Sequence, residues 1–312
     1  MIRRPLVLVA IDHATDLERT MDVALSTAKE RAADLHVISV VPHGAVEIVG
    51  DPGRWAPDPP DERRADIATR IASMIRSADH DGARGHSVTL RGEPEQVIPA
   101  YAQLHEAALL VVERDYGSSR FWRNGRVVND LARRSPAPLL VLPTSQGAQR
   151  GRPGLRRILA PFDFSIASGV ALKTAVDLAR RHGAHVTLLH AMTNVPQRMV
   201  FSGSEALRLV RQLPAHVQAV TKRLRRRAAV VGANDVETEV VTGVADRAIL
   251  TIATRSDTDL VVMGVARRSC LDRLLFGSTL RRVLRRATVP VLVVPVVAGA
   301  FTWRDEPVVE AG

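Results

Sequence analysis

A chain of 312 residues is long enough for two ordinary domains, and its 46% hydrophobic content can supply two buried cores. No stretch approaches the roughly 20 apolar residues that span a bilayer, and the run Leu6 to Ile11 falls short of the about 7–15 residues of a signal-peptide core, so a cytoplasmic protein is expected. The lone Cys270 excludes an internal disulfide and a cysteine-based metal cluster, while the net charge of +10 is carried almost wholly by arginine and permits an anionic ligand without requiring one.

The first apolar segment, LVLVAID, predicts a strand over 6–11 that ends at Asp12. A helix over 16–31 follows, then strands near 34–41, 86–90, 108–113 and 139–142, with a helix over 94–105. The loop 42–60 holds five prolines and reads as an exposed excursion. The polar, turn-rich run TSQGAQRGRP over 144–153 is a linker. A second series begins at RILAPFD, with strands near 157–162, 185–191, 237–242, 259–263 and 291–294 and helices over 167–182 and 245–255. From Pro214 onward, Val217, Val220, Leu224 and Val231 recur at helical spacing, with Pro214 suited to a first turn. His182 and His185 flank a turn and read as solvated, and none of the ten histidines forms a metal-binding helix pattern. The cluster Lys222, Arg223, Arg225, Arg226 and Arg227 lacks interleaved aromatics, so it reads as a solvated basic face and nucleic acid is not an expected partner. Residues 297–312 form a tail.

The two series are copies of one unit. Asp12 and Asp163 lie 151 residues apart, as do Gly92 and Gly243, and the strand-closing Pro143 and Pro295 lie 152 apart. A tandem duplication explains that register. The units are placed at 1–143 and 154–296, and strand–helix alternation with short links predicts two α/β units, each an open parallel five-stranded sheet with helices on both faces.

Ligands of open parallel sheets bind at the carboxyl ends of strands where the winding reverses, which points to the first and fourth strands of each unit. In the second unit these end at Pro161-Phe162-Asp163 and Met263-Gly264. Gly264 would let the chain turn off the strand and approach a ligand closely. Gly277 and Ser278 open the next helix, where free amides and the helix dipole favour an anion. By itself a Gly-Ser pair before a helix is most often a cap and a turn.

The spacing Gly264, two residues, Arg267, nine residues, Gly277, Ser278 resembles the signature of the universal stress protein family, in which a glycine stands where this chain has Arg267. DLVVMG, RLLFGS, PVLVVP and LAPFDFS resemble the family too, and the likeness covers nearly the whole chain as two copies. It implies a Rossmann-like fold and ATP as ligand of the second unit. Base and ribose would lie by Pro161, Phe162, Asp163 and Ala191, the phosphates by Gly264, Gly277, Ser278 and Thr279, and Met263 would belong to the same nucleotide site. The Arg267 side chain would crowd the phosphates or pair with one. In the first unit Arg114 stands roughly at the place of Gly264 and Arg126 at that of Ser278, so that unit is expected to hold no ATP and to serve sheet pairing or a partner. No Walker motif GxxxxGK[ST] is present, and a non-enzymatic stress-response protein is expected, acting through nucleotide-dependent conformation or partner binding; the alternatives are a nucleotide-free dimeric interaction protein and a weak ATP hydrolase.

Overall fold

Continuously apolar runs become strands wherever helices cover both faces of a parallel sheet. The computed structural model describes residues 4–12, 15–41, 69–76, 84–114, 126–144, 154–192, 203–233, 235–266 and 278–296. The first unit contains β1 (Leu6–Ile11), β2 (Asp34–Val41), β3 (Gly85–Arg91), β4 (Ala107–Glu113) and β5 (Leu139–Leu142). The second contains β6 (Arg157–Pro161), β7 (His185–Met192), β8 (Glu237–Thr242), β9 (Leu260–Ala266) and β10 (Val291–Val296). Between them run α1 (Leu17–Glu30), α2 (69–76), α3 (Pro94–Leu104), α4 (Arg126–Arg134), α5 (Ile166–His182), α6 (Gly203–Val230), α7 (Ala245–Arg255) and α8 (Ser278–Arg286). All six residues of β1 are buried, as two-sided cover requires. Asp16 caps α1 and Ser165 caps α5, each accepting an amide of the first turn, and Gly183 ends α5 in the left-handed conformation at φ 66°.

Two boundaries depart from the sequence reading. Strand β9 runs on to Ala266, so Gly264 lies within it rather than at its end. Helix α6 begins at Gly203, which puts Pro214 inside the helix instead of in its first turn. The stripe Val220, Leu224 and Ala228 packs into the core, and that packing outweighs the one backbone hydrogen bond a proline removes. The loop 42–60, the tail 297–312 and Cys270 lie outside the described residues.

The two five-stranded halves form one sheet, in the order β3-β2-β1-β4-β5-β10-β9-β6-β7-β8. Pairs within each half are parallel, and the junction is antiparallel, with Val291 opposite Val141, Leu292 opposite Leu140 and Val293 opposite Leu139. Two cores follow, one per face. Helices α1, α2, α5 and α6 pack on the first face, and α3, α4, α7 and α8 pack on the second.

Polar contacts fasten the junction. Arg114 donates from Nη1 to the Ala287 carbonyl beyond α8 (2.8 Å) and from Nη2 to Thr144 Oγ1 (2.8 Å). His182, expected to be solvated, lies 3.0 Å from Glu30 through Nε2, because the pairing brings the carboxyl ends of α1 and α5 together. We expect Arg114→Met to cost about 2 kcal/mol, since two charge-assisted donors are lost. Urea unfolding monitored by circular dichroism checks this as a lower midpoint.

Candidate functional site

The chain leaves β6 at Pro161, and the next three residues set the geometry of the crevice. Phe162 is buried, with its amide bound to the Leu189 carbonyl (2.7 Å) and its own carbonyl accepting from His190 Nδ1 (2.7 Å). Phe164 then takes φ 65°, a conformation strained for a bulky side chain. Its neighbours hold it there: Phe162 at 5.2 Å and His190 at 5.0 Å between ring centroids, and the Arg223 guanidinium stacked 4.2 Å over the ring. Arg223 stays exposed, so it stacks on Phe164 while remaining part of the solvated basic face. The kink delivers Ser165 to the amino end of α5, where its hydroxyl accepts from the Ser168 amide (3.1 Å).

Asp163 Oδ1 accepts from the Ser165 amide (3.0 Å) while the residue stays exposed. Desolvation works against its charge, but hydrogen bonds from Ser165 and Ser168 outweigh it and hold the carboxyl below the usual range. Asp163 is therefore an anion at neutral pH.

Pro161, Phe162, Asp163, Ala191, Met263, Gly264 and Thr279 line one cleft of about 120 Å³. Ser278 is the exposed first residue of α8 beside it. Arg267 and Gly277 lie outside the described residues. The sequence reading missed Ser165, Ser168, Leu189, Ala245 and Ile249 as lining residues. The spacing Ser165-x-x-Ser168 directly after Asp163 was the available signal for two of them. Helix α8 is positioned by Arg282, which donates to the buried Asp246 Oδ1 (2.9 Å) in the first turn of α7.

Gly264 has a packing reason. A Cβ there would overlap the backbone carbonyl of Ala167, because the first turn of α5 crosses β9 in direct contact. The glycine serves helix approach, not the turn off the strand that its sequence position suggested.

The model of the universal stress protein family matches residues 4–143 and 154–295. The chain belongs to the universal stress protein family. It is 31% identical over 140 residues to a universal stress protein of Methanocaldococcus jannaschii, covering 45% of this chain and 81% of that protein. The crystal structure of a universal stress protein from Archaeoglobus fulgidus DSM 4304 superposes with TM-score 0.65 at 18% identity, over 94% of this chain and 97% of that one. A universal stress protein in complex with cAMP is 26% identical, over 45% of this chain and 97% of that one, with TM-score 0.34.

The two copies of this family fold differ where they would meet a ligand. Sheet register sets Glu113 beside Leu142, as it sets Gly264 beside Val294, so Glu113 and not Arg114 occupies the position of Gly264. Arg126 does begin α4 as Ser278 begins α8. Glu113 is buried, and its Oε2 accepts from the Asp16 amide (2.6 Å) at the start of α1. Burial pushes its pKa up, helped by the nearby charges of Asp16 and Asp12 and opposed by the Asp16 amide and Arg19.

Two outcomes follow. Gly264→Ala must displace α5 from β9 and is expected to cost about 2 kcal/mol as an overpacking change, read as a lowered melting temperature. A carboxyl whose pKa is raised on folding stabilises the fold fully below its unfolded pKa of about 4.3, and that contribution is lost as pH rises through the folded value. Glu113→Gln keeps an acceptor without the charge, so its melting temperature should exceed that of the parent at neutral pH, with the gap closing toward pH 4.

Proposed function

We propose that the second unit binds ATP and that the protein is a non-enzymatic stress-response component whose conformation or partner binding depends on that nucleotide. The observation that carries this reading is the cleft between the carboxyl ends of β6 and β9, where Asp163 faces the amino end of α8 in a chain of this family. Base and ribose would lie by Pro161, Phe162, Asp163, Ala191 and Met263. The phosphates would meet Gly264, Gly277, Ser278, Thr279 and the Arg267 guanidinium, because the first amides of a helix lack internal partners and carry the positive end of its dipole.

The first unit takes the other role. Asp12, Asp16 and Glu113 gather at the amino end of α1, and Glu113 already caps the Asp16 amide, so a triphosphate there would meet like charge. That unit is proposed as the structural half of the sheet. Dedicated phosphoryl transfer needs several groups around a metal ion. Asp163 is the one carboxylate among the described residues lining the cleft.

One observation favours the nucleotide-free reading. At about 120 Å³ the cleft is well below the roughly 300–1,000 Å³ of ordinary ligand sites, so a nucleotide needs a wall of the cleft to move. Calorimetric titration of the full chain with ATP separates the readings. One site per chain is expected, weakened about tenfold or more by Thr279→Ala or Asp163→Ala and unaffected by Glu113→Gln. No heat at millimolar ATP would leave the scaffold reading, and a gain of binding in Arg267→Gly would show that the arginine disables the site.

A further inference from the structure

The junction of the two units leaves a second, larger concavity on the first face of the sheet. Helix α1 lies over β1 and β4, α5 lies over β9 and β10, and between them a groove of about 630 Å³ opens at the meeting of β5 and β10. That volume falls within the roughly 300–1,000 Å³ of small-molecule sites. Its floor is hydrocarbon: Leu109, Leu140, Leu142, Leu260 and Leu292 come from four neighbouring strands of the two units.

The charged groups of the rim divide unequally, and the carboxylates are three: Glu30, Asp259 and Asp257, the last exposed to solvent. Glu30 pairs with His182, and Asp259 Oδ2 accepts from the amides of Arg156 and Arg157 (2.8 Å each). Arg19 donates to the Pro143 carbonyl (2.7 Å). Arg31, at the carboxyl end of α1, is different. Its guanidinium is partly buried, makes no hydrogen bond among the described residues, and feels the like charge of Arg181. Burial, Arg181 and Glu30 act on it in that order, and the net effect lowers its pKa. A desolvated cation beside a hydrocarbon floor is complementary to one chemistry, an apolar chain that ends in an anion.

We propose that this groove binds a single-chain amphipathic carboxylate, with its hydrocarbon on the leucine floor and its carboxylate forked onto Arg31. Bidentate pairing would satisfy donors that no described residue accepts from, and would add to Glu30 in offsetting the like charge of Arg181. The site draws residues from both units, so the ligand would bridge the junction and stabilise it by mass action. It lies apart from the cleft at Asp163, and the inference does not rest on nucleotide binding.

The test is a calorimetric titration of the full chain with sodium decanoate below its aggregation concentration, with decanol as the uncharged arm. Saturable binding of one decanoate per chain is expected, and decanol should bind more weakly. Arg31→Gln should weaken decanoate roughly tenfold and leave decanol unchanged. Ser26→Trp, an exposed change on the α1 wall, should obstruct both ligands. Melting curves matching the parent would show that both variants fold; if Ser26→Trp does not, Val23→Trp on the same wall replaces it. The proposal is overturned if the parent shows no saturable decanoate binding, if decanol binds as tightly as decanoate, or if Arg31→Gln and the tryptophan variant both titrate like the parent.

Discussion

Antiparallel pairing of β5 with β10 is the contact on which the rest of the architecture leans. Each unit alone would end its sheet in an apolar edge, LLVL in one and VLVVPV in the other. Unpaired edges of that composition are templates for aggregation. Joining the two edges within one chain satisfies their amides and carbonyls and buries Val141, Val291 and Val293. It also fixes the polarity of the halves, because an antiparallel junction relates them by an approximate two-fold. The Arg114 bond to Ala287 and the Glu30–His182 pair follow from that placement.

Duplication under this constraint lets the copies diverge. Sheet pairing needs β5, β10 and their covering helices, but it makes no demand on the carboxyl ends of β1 and β4. At that point one copy holds Gly264, which admits α5 against β9, and the other holds Glu113, which reaches α1 through its side chain. Both solutions seat a helix on a strand. Only the glycine leaves the strand end free of a resident carboxylate. Positions that look equivalent by counting therefore carry opposite electrostatics, and the difference arises from one backbone approach distance.

Much of this was legible in the sequence. The apolar runs and their 151-residue period gave ten strands close to their true bounds, because strands covered on both faces leave a continuous signal. The cleft was legible too, since Pro161, Asp163, Gly264 and Thr279 meet where a switch point predicts. Other features were out of reach. Glu113 and Gly264 lie 151 residues apart, so the period itself sets them at one position and the β4–β5 register agrees; what counting could not show is that the Glu113 side chain turns back to the Asp16 amide. Pro214 misled because local helix grammar places proline in a first turn, whereas packing of Leu224 and its neighbours carries α6 through it. His182 is exposed, as its place beside a turn suggested, but its contact with Glu30 was out of reach because that partner lies in the other unit and no local pattern records it.

The groove between α1 and α5 is a topological consequence of the same pairing. In a doubly wound unit the connections on either side of the first strand lie on opposite faces. Helices α1 and α2 serve one side of the winding and α3 and α4 the other, so β5 receives cover from α4 alone. Strand β10 meets α4 on the second face and α5 on the first. When the two edges pair, Leu142 and Leu292 are buried and Leu140 is half-buried beneath the gap between α1 and α5. A single unit would present this surface as a shallow step. The duplicated chain presents it as a walled trough with a hydrocarbon floor, closed at one end by Glu30 and His182. Closing it would require α1 and α5 to slide off β1 and β9, and Gly264 locks α5 where it stands. The concavity is thus built into the fold, and its emptiness of side chains is enforced by the same strand–helix contact that shapes the cleft at Asp163.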